Sequence, residues 1–186
     1  MIILITGKSG SGKTYIAENL AKFFDAEVLC FDKISHQVID NHDSINEIKL
    51  HFGEGIIENN KINRKKLGKI VFEDKNKLTF LNSLVQIKME KIIDDILKIN
   101  KNFIIEYALL PKMKYFKNCD FKILVKATNH IRKTRILARD HITESYFESR
   151  EENSLAYDEN DYDLVIENNG LLNFEKIAQK IKENLW

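Results

Sequence analysis

With 186 residues, 44% hydrophobic and 31% charged, the chain has the apolar material for one globular core and is too apolar for a disordered tail. A formal net charge of +1 supplies no global field to draw nucleic acid or an anionic membrane, so neither is expected as a partner. Two scattered cysteines, Cys30 and Cys119, exclude a disulfide framework or a zinc knuckle and point to a reducing, cytoplasmic setting. The opening MIILIT is too short to span a bilayer and lacks a basic flank or a cleavage-site pattern, so no secretory signal is expected.

Ile2 to Ile5 is a run of β-formers ended by a glycine, and Ile16, Leu20, Phe23 and Phe24 then recur at helical spacing. Val28 to Phe31 reads as a second strand. From there to about residue 100 the pattern is helical: first Ile45, Ile48 and Phe52, then Leu67, Ile70 and Val71. A longer core stripe of Leu78, Leu81, Val85, Met89, Ile92 and Ile96 follows. Phe103 to Ile105 and Phe121 to Val125 look like buried strands, and a basic helix covers Asn129 to Arg139. The polar, acidic run after that helix suggests a mobile segment. Leu164 to Ile166 is a last strand before a closing helix with Phe174, Ile177, Ile181 and Leu185. Strands alternating with helices predict an α/β fold, a mostly parallel sheet with helices on both faces.

Three of the seven glycines fall in Gly7-Lys8-Ser9-Gly10-Ser11-Gly12-Lys13-Thr14, between the first strand and the first helix. The stretch satisfies G-x-x-x-x-G-K-[ST], which ordinary residue usage would produce by accident in on the order of one chain in a hundred of this length. Glycines let the backbone approach a phosphate closely, so that successive N–H groups and the positive end of the helix face the anion. Lys13 would reach the β- and γ-phosphates and Thr14 would offer its hydroxyl to Mg²⁺. Gly7, Ser9, Gly10, Ser11, Gly12, Lys13, Thr14 and Tyr15 are therefore candidate ATP-binding residues, with Thr14 the candidate metal ligand. The dinucleotide pattern G-x-G-x-x-G is absent, because the glycine spacing is reversed.

Phosphoryl transfer also needs a group to orient the acceptor and cations near the transferred phosphoryl. Asp32 falls just after the second apolar run, at the carboxyl end of a predicted strand. It reads as a general base, as the cap of the helix that follows, or as both. Arg132, Arg135 and Arg139 share one helical face, with Lys133 beside them, and form either a solvated basic surface or a lid that closes on phosphates. Lys61, Arg64, Lys65 and Lys66 make a second basic group.

These residues together resemble the dephospho-coenzyme A kinase family. The resemblance runs over nearly the whole chain. It is carried by the glycine loop, by "FDKISHQVI" with Asp32, and by "HFGEGIIENNKINRKKLGKIVF" with Phe52-Gly53 and Asn63-Arg64. "LNSL" at 81–84, "RILARDHIT" with Arg135 and Arg139, and "DLVIENNG" with Asp163, Asn168 and Gly170 complete it. The resemblance implies a three-layer P-loop kinase domain that phosphorylates the ribose 3′-hydroxyl of dephospho-coenzyme A with ATP and Mg²⁺. It implies a nucleotide-binding core at 1–32 and 101–186, a helical substrate-binding insertion at 33–100 and a lid at 140–160. Asp32 is then the catalytic base beside Lys13, Phe52 and Arg64 meet the acceptor, Arg135 and Arg139 contact ATP phosphates, and Asn168 lies near the adenine. The partners implied are small molecules, and a monomer is expected.

The chain departs from the family pattern mostly on the acceptor side. Cys30 stands where an aspartate is usual, Gln86-Ile87 replaces a His-Pro, and Ala108-Leu109-Leu110-Pro111-Lys112 replaces a Pro-Leu-Leu stretch ending in glutamate. Glu106 and Tyr107 are available to replace part of that loop's chemistry, and the lid glutamine is replaced by Glu152 or Asn153. These departures keep two rivals in view: another P-loop nucleoside or nucleotide kinase, and a nucleotide-binding protein without turnover. A switch GTPase is disfavoured, since no Asn-Lys-x-Asp sequence is present.

Overall fold

The five apolar runs become five parallel strands in the computed structural model, which describes residues 1–185. They are β1 (Ile2–Thr6), β2 (Ala26–Cys30), β5 (Asn102–Glu106), β6 (Phe121–Lys126) and β7 (Leu164–Glu167), numbered in chain order and lying in the sheet as β2-β5-β1-β6-β7. From β1 the chain crosses to the β5 side, and after β5 it crosses to the other side of β1. The sheet therefore reverses beside β1, which is where open α/β sheets bind ligands, outside the carboxyl ends of their strands. The glycine loop leaves β1 at that end.

The described chain divides into two compact units, one of residues 1–30 with 100–185 and one of residues 31–99. In the first, α1 (Lys13–Phe24) lays Ile16, Ala17, Leu20 and Phe24 into a core with Ile3, Ile5, Ile104, Ile123 and Val125, and α8 (Phe174–Leu185) adds Ala178 and Ile181. Each fully buried Ile, Leu or Phe contributes about 1.5–3 kcal/mol relative to exposure, which anchors the start of α1 against the sheet. The basic helix α6 (Asn129–Asp140) is capped by Thr128, and α7 (Glu144–Glu152), capped by Thr143, occupies the run expected to be mobile.

The second unit holds α2 (Phe31–Ile39), α3 (His42–Phe52), α4 (Arg64–Phe72) and α5 (Lys75–Leu97). It differs from the all-helical expectation by a small antiparallel hairpin, β3 (Ile57–Glu58) with β4 (Lys61–Ile62). Its two-residue turn is Asn59-Asn60, both at positive φ, a conformation that asparagine tolerates better than most side chains do. Phe31, read as the end of a strand, instead opens α2 and is fully buried. On α5 the buried stripe runs Leu81, Val85, Met89, Ile93, leaving Ile92 41% exposed. Steps of four residues run close to one helical turn, so Ile93 rather than Ile92 continues the stripe. Among the described residues, no helix is long and apolar enough to cross a membrane.

Candidate active site

The loop after β1 is shaped by close backbone approach. A Cβ on Gly7 would stand 2.1 Å from the Val125 carbonyl oxygen, and one on Gly12, at φ +92°, would stand 2.2 Å from Asn168 Nδ2. No other residue fits at either place without displacing its neighbour. The Ser11 N–H donates to the Lys8 carbonyl at 3.1 Å and closes the turn. Gly12 then leads into α1 with no side-chain cap and no acidic residue in the first turn. By contrast, α3, α4, α5, α6 and α7 are capped by the side chains of Asn41, Asn63, Asp74, Thr128 and Thr143. The first N–H groups of α1 and its positive end are left to an outside anion. Lys13 is 7% exposed, and its Nζ folds back to 3.4 Å from the Lys8 carbonyl oxygen. Tyr15 is 54% exposed and meets the Phe174 ring edge-on at 5.5 Å.

Thr14 reaches the neighbouring strand. Its Oγ1 donates to Glu106 Oε1 at 3.1 Å. Register explains the meeting, because Glu106 pairs with Ile5, two residues before Gly7. The Glu106 carboxyl group is fully buried, and its Oε2 has no hydrogen-bond partner among the described residues. By sequence, Glu106 stands out only as a replacement for part of the acceptor-side loop. The signal that it lies beside the glycine loop, an acid directly after the apolar Phe103 to Ile105, needed the strand pairing to be read.

Three long-range braces hold the loop. Asn168, 3% exposed, donates from Nδ2 to the Ser11 carbonyl at 2.8 Å. Arg135 donates to the carbonyls of Gly10 at 3.3 Å, Ser11 at 3.4 Å and Asn168 at 3.2 Å. Arg132, 4% exposed, donates to the Ser9 carbonyl at 3.3 Å and forms a two-pronged pair with Glu151 of α7, both contacts 2.8 Å. Lys8 also pairs with Glu151. Burial pushes the Glu151 carboxyl up, but hydrogen bonds from Arg132 and Lys8 outweigh it and hold it below the usual glutamate value. The basic face of α6 is therefore not simply solvated, since Arg132 and Arg135 turn inward. Arg139 stays 64% exposed and pairs with Asp140 at 2.6 Å, which lowers the Asp140 pKa. Arg150 reaches Ser9 Oγ at 3.5 Å and Asp140 at 3.4 Å.

The second unit carries the remaining candidates. Asp32 is the second residue of α2, exposed, and so lies inside the first turn and not at a capping position. Its backbone carbonyl accepts from Ser35 Oγ at 2.7 Å, and its carboxylate accepts no hydrogen bond from the described residues. His36 follows one turn later, its pKa lowered first by burial and then by the charge of Arg64. Arg64 opens α4, pairs with Asp40 and donates to the His36 carbonyl at 3.4 Å. Phe52 packs edge-on at 4.9 Å against His51, which stacks at 3.6 Å on Phe80.

The structure thus gathers Gly7, Ser9, Gly10, Ser11, Gly12, Lys13, Thr14, Arg135 and Asn168 around one loop, and adds Glu106, Lys8, Arg132 and Glu151. A family model described as dephospho-CoA kinase matches residues 1–173. The chain belongs to the dephospho-CoA kinase family. A dephospho-CoA kinase of Fusobacterium nucleatum is 34% identical, covering 98% of this chain and 95% of its own length. One of Aquifex aeolicus is 34% identical over 96% and 93%. Among solved structures, TT1252 from Thermus thermophilus has a TM-score of 0.80 at 24% identity, covering 100% of this chain and 98% of its own. A dephospho-CoA kinase from Campylobacter jejuni has a TM-score of 0.60 at 23% identity, over 98% and 94%. These two show that the dephospho-CoA kinase family member described here shares their fold.

Proposed function

We infer that the protein transfers the γ-phosphoryl group of ATP to the 3′-hydroxyl of dephospho-CoA, giving CoA and ADP. The observation that carries this reading, beside family membership, is the uncapped N-terminus of α1 beneath a loop that only glycine can form, with Lys13 folded over it. That arrangement binds a polyphosphate through backbone N–H groups, the helix dipole and one buried cation. Gly7, Ser9, Gly10, Ser11, Gly12, Lys13, Thr14 and Tyr15 take the nucleotide, and Arg135 and Asn168 keep the loop in shape. Arg139, paired with Asp140 at the end of α6, would exchange that partner for the ATP phosphates.

The Thr14 hydroxyl and the orphaned, buried Glu106 Oε2 form a hard oxygen pair that suits Mg²⁺. When bound there, the ion would neutralise charge on the phosphate oxygens. Asp32 takes the proton of the acceptor hydroxyl as its oxygen bonds to the γ-phosphorus and ADP leaves. An exposed carboxylate without an internal partner is free for that task. The unit of residues 31–99, with Arg64 and Phe52, serves as the acceptor-binding insertion, and 140–160 serves as the lid. On this reading the enzyme acts as a monomer in the cytoplasm, and neither Cys30 nor Cys119 is in a disulfide.

The deciding experiment is ADP release measured with dephospho-CoA beside a panel of nucleosides and nucleotides. ADP formed with dephospho-CoA, and the phosphate found on its 3′-oxygen, is the expected result. Turnover with a panel member and none with dephospho-CoA overturns the acceptor assignment; no acceptor-dependent ADP overturns catalysis.

A further inference from the structure

The Glu151 carboxylate sits where two cations meet. Arg132, almost fully buried, offers it two parallel N–H groups at 2.8 Å, and Lys8, the second residue of the glycine loop, pairs with the same carboxylate. Arg132 is itself held to the loop by the Ser9 carbonyl at 3.3 Å. Beside the pair lies a cavity of about 190 Å³ lined by Lys8, Arg132, Val125, Ala127 and Tyr157, whose hydroxyl is fixed to the Ala108 carbonyl at 2.7 Å. A planar fork from arginine and a point charge from lysine is the donor set that recognises a phosphoryl group. Here an internal acid takes that place, and it belongs to α7, just beyond the basic helix.

We propose that Lys8 and Arg132 form an anion subsite for a phosphoryl group on the flank of the glycine loop, and that Glu151 fills it until an incoming phosphate displaces the glutamate. Three observations support exchange over a permanent pair. The site opens on a cavity and is not sealed in the core. Glu151 is attached through a nine-residue helix with a single buried side chain, Phe147, so little apolar packing opposes its withdrawal. And both cations already border the loop that the phosphates must reach. Release of Glu151 would leave α7 tied to the loop only by the long 3.5 Å contact of Arg150 with Ser9 Oγ, so that substrate charge becomes a signal to the lid segment. The phosphoryl group can come from ATP or from the diphosphate of dephospho-CoA, and both present the same tetrahedral oxyanion. The inference rests on reading the glycine loop as the phosphate cradle.

The test is titration of inorganic pyrophosphate into the full chain and into Glu151→Gln. The substitution keeps the side chain's size and removes the competing charge, and it is expected to tighten binding about tenfold, the scale of one charge-assisted hydrogen bond. Glu148→Gln, an equal charge change at an exposed position of the same helix that faces Lys133 and not Lys8 or Arg132, is expected to leave affinity within about twofold. Adding Arg132→Gln to Glu151→Gln is expected to abolish the gain. Equal gains from both glutamate variants, or no gain from Glu151→Gln, overturn the subsite. If the unsubstituted chain binds no pyrophosphate at all, the cradle itself is misread, which is a separate failure.

Repeating the titration with a non-hydrolysable ATP analogue and with dephospho-CoA assigns the source, since the Glu151→Gln gain should appear with whichever phosphate enters. Hydrogen exchange on the unsubstituted chain needs no variant. Pyrophosphate is expected to speed exchange in residues 144–152 while slowing it in 7–14, whereas slowing in both segments overturns the displacement.

Discussion

Asn168→Ala removes one side-chain hydrogen bond from the back of the glycine loop and leaves the backbone of β7 alone. The Asn168 N–H still donates to Lys126 at 2.7 Å, and its carbonyl still accepts from Arg135 at 3.2 Å. Only the 2.8 Å bond from Nδ2 to the Ser11 carbonyl is lost. A net hydrogen bond is worth about 1 kcal/mol, and leaving its buried partner without a donor costs about 1–3 kcal/mol. The Ser11 carbonyl retains Arg135 at 3.4 Å, a charged but long contact, so the lower part of that range applies. A loss of about 1.5 kcal/mol corresponds to a fall in Tm of roughly 3–6 °C for a chain of this size.

The same loss frees the Ser11–Gly12 peptide to leave the conformation that aims its neighbours at phosphate. Apparent ATP affinity then falls by up to about tenfold, because the binding-competent loop is less populated. At saturating ATP the loop is restored, and kcat should stay within about threefold. The assay pairs thermal unfolding with steady-state kinetics on ATP and on GTP. A brace weakens both nucleotides equally, whereas a side chain that reads adenine would lose ATP affinity alone. An unchanged Tm with a loss confined to ATP would refute the brace and restore the adenine-side role for Asn168.

Asp32→Asn is expected to lower kcat by about 10²- to 10⁴-fold while ATP binding, measured directly, changes little; an unaltered kcat in the folded variant removes Asp32 from the mechanism. Glu106→Gln keeps an acceptor for Thr14 but removes the buried charge. Manganese binding in the presence of ADP, followed by electron paramagnetic resonance, should weaken by about tenfold or more, and equal affinity would dissociate Glu106 from the metal. Arg64→Ala should raise the KM for dephospho-CoA before that for ATP, and the reverse order misplaces the residue. In the same variant His36 loses one of the influences that depress it, so its proton NMR titration should move upward in pH, as burial alone then holds it down. Because the folded pKa of His36 lies below its unfolded value, the stability it contributes is present above about pH 6.5 and is lost as pH falls from there toward the folded pKa. Arg64→Ala should shrink that loss, which an acid unfolding series can measure.

The sequence by itself determined what depends on neighbours along the chain. The alternation of apolar runs and helical periods identified five strands and the main helices. The glycine spacing before Lys13 and Thr14 located the tight loop between β1 and α1, because such a turn is made by contiguous residues. Local pattern was weakest where competing local signals met, as at Phe31, whose burial suited either a strand end or a helix start, and at the Asn59-Asn60 turn hidden in a helical stretch. Only the tertiary structure decided which distant residues serve that loop. Parallel strands bring together positions a hundred residues apart, and their register is set by core packing that no local window contains. Ile5 beside Glu106 gives Thr14 its partner, and Lys126 beside Glu167 at the end of β7 brings Asn168 behind Ser11. The inward turn of Arg132 and Arg135, and the outward turn of Arg139 on the same helix, follow from where α6 meets the loop, a fact that charge spacing alone does not contain.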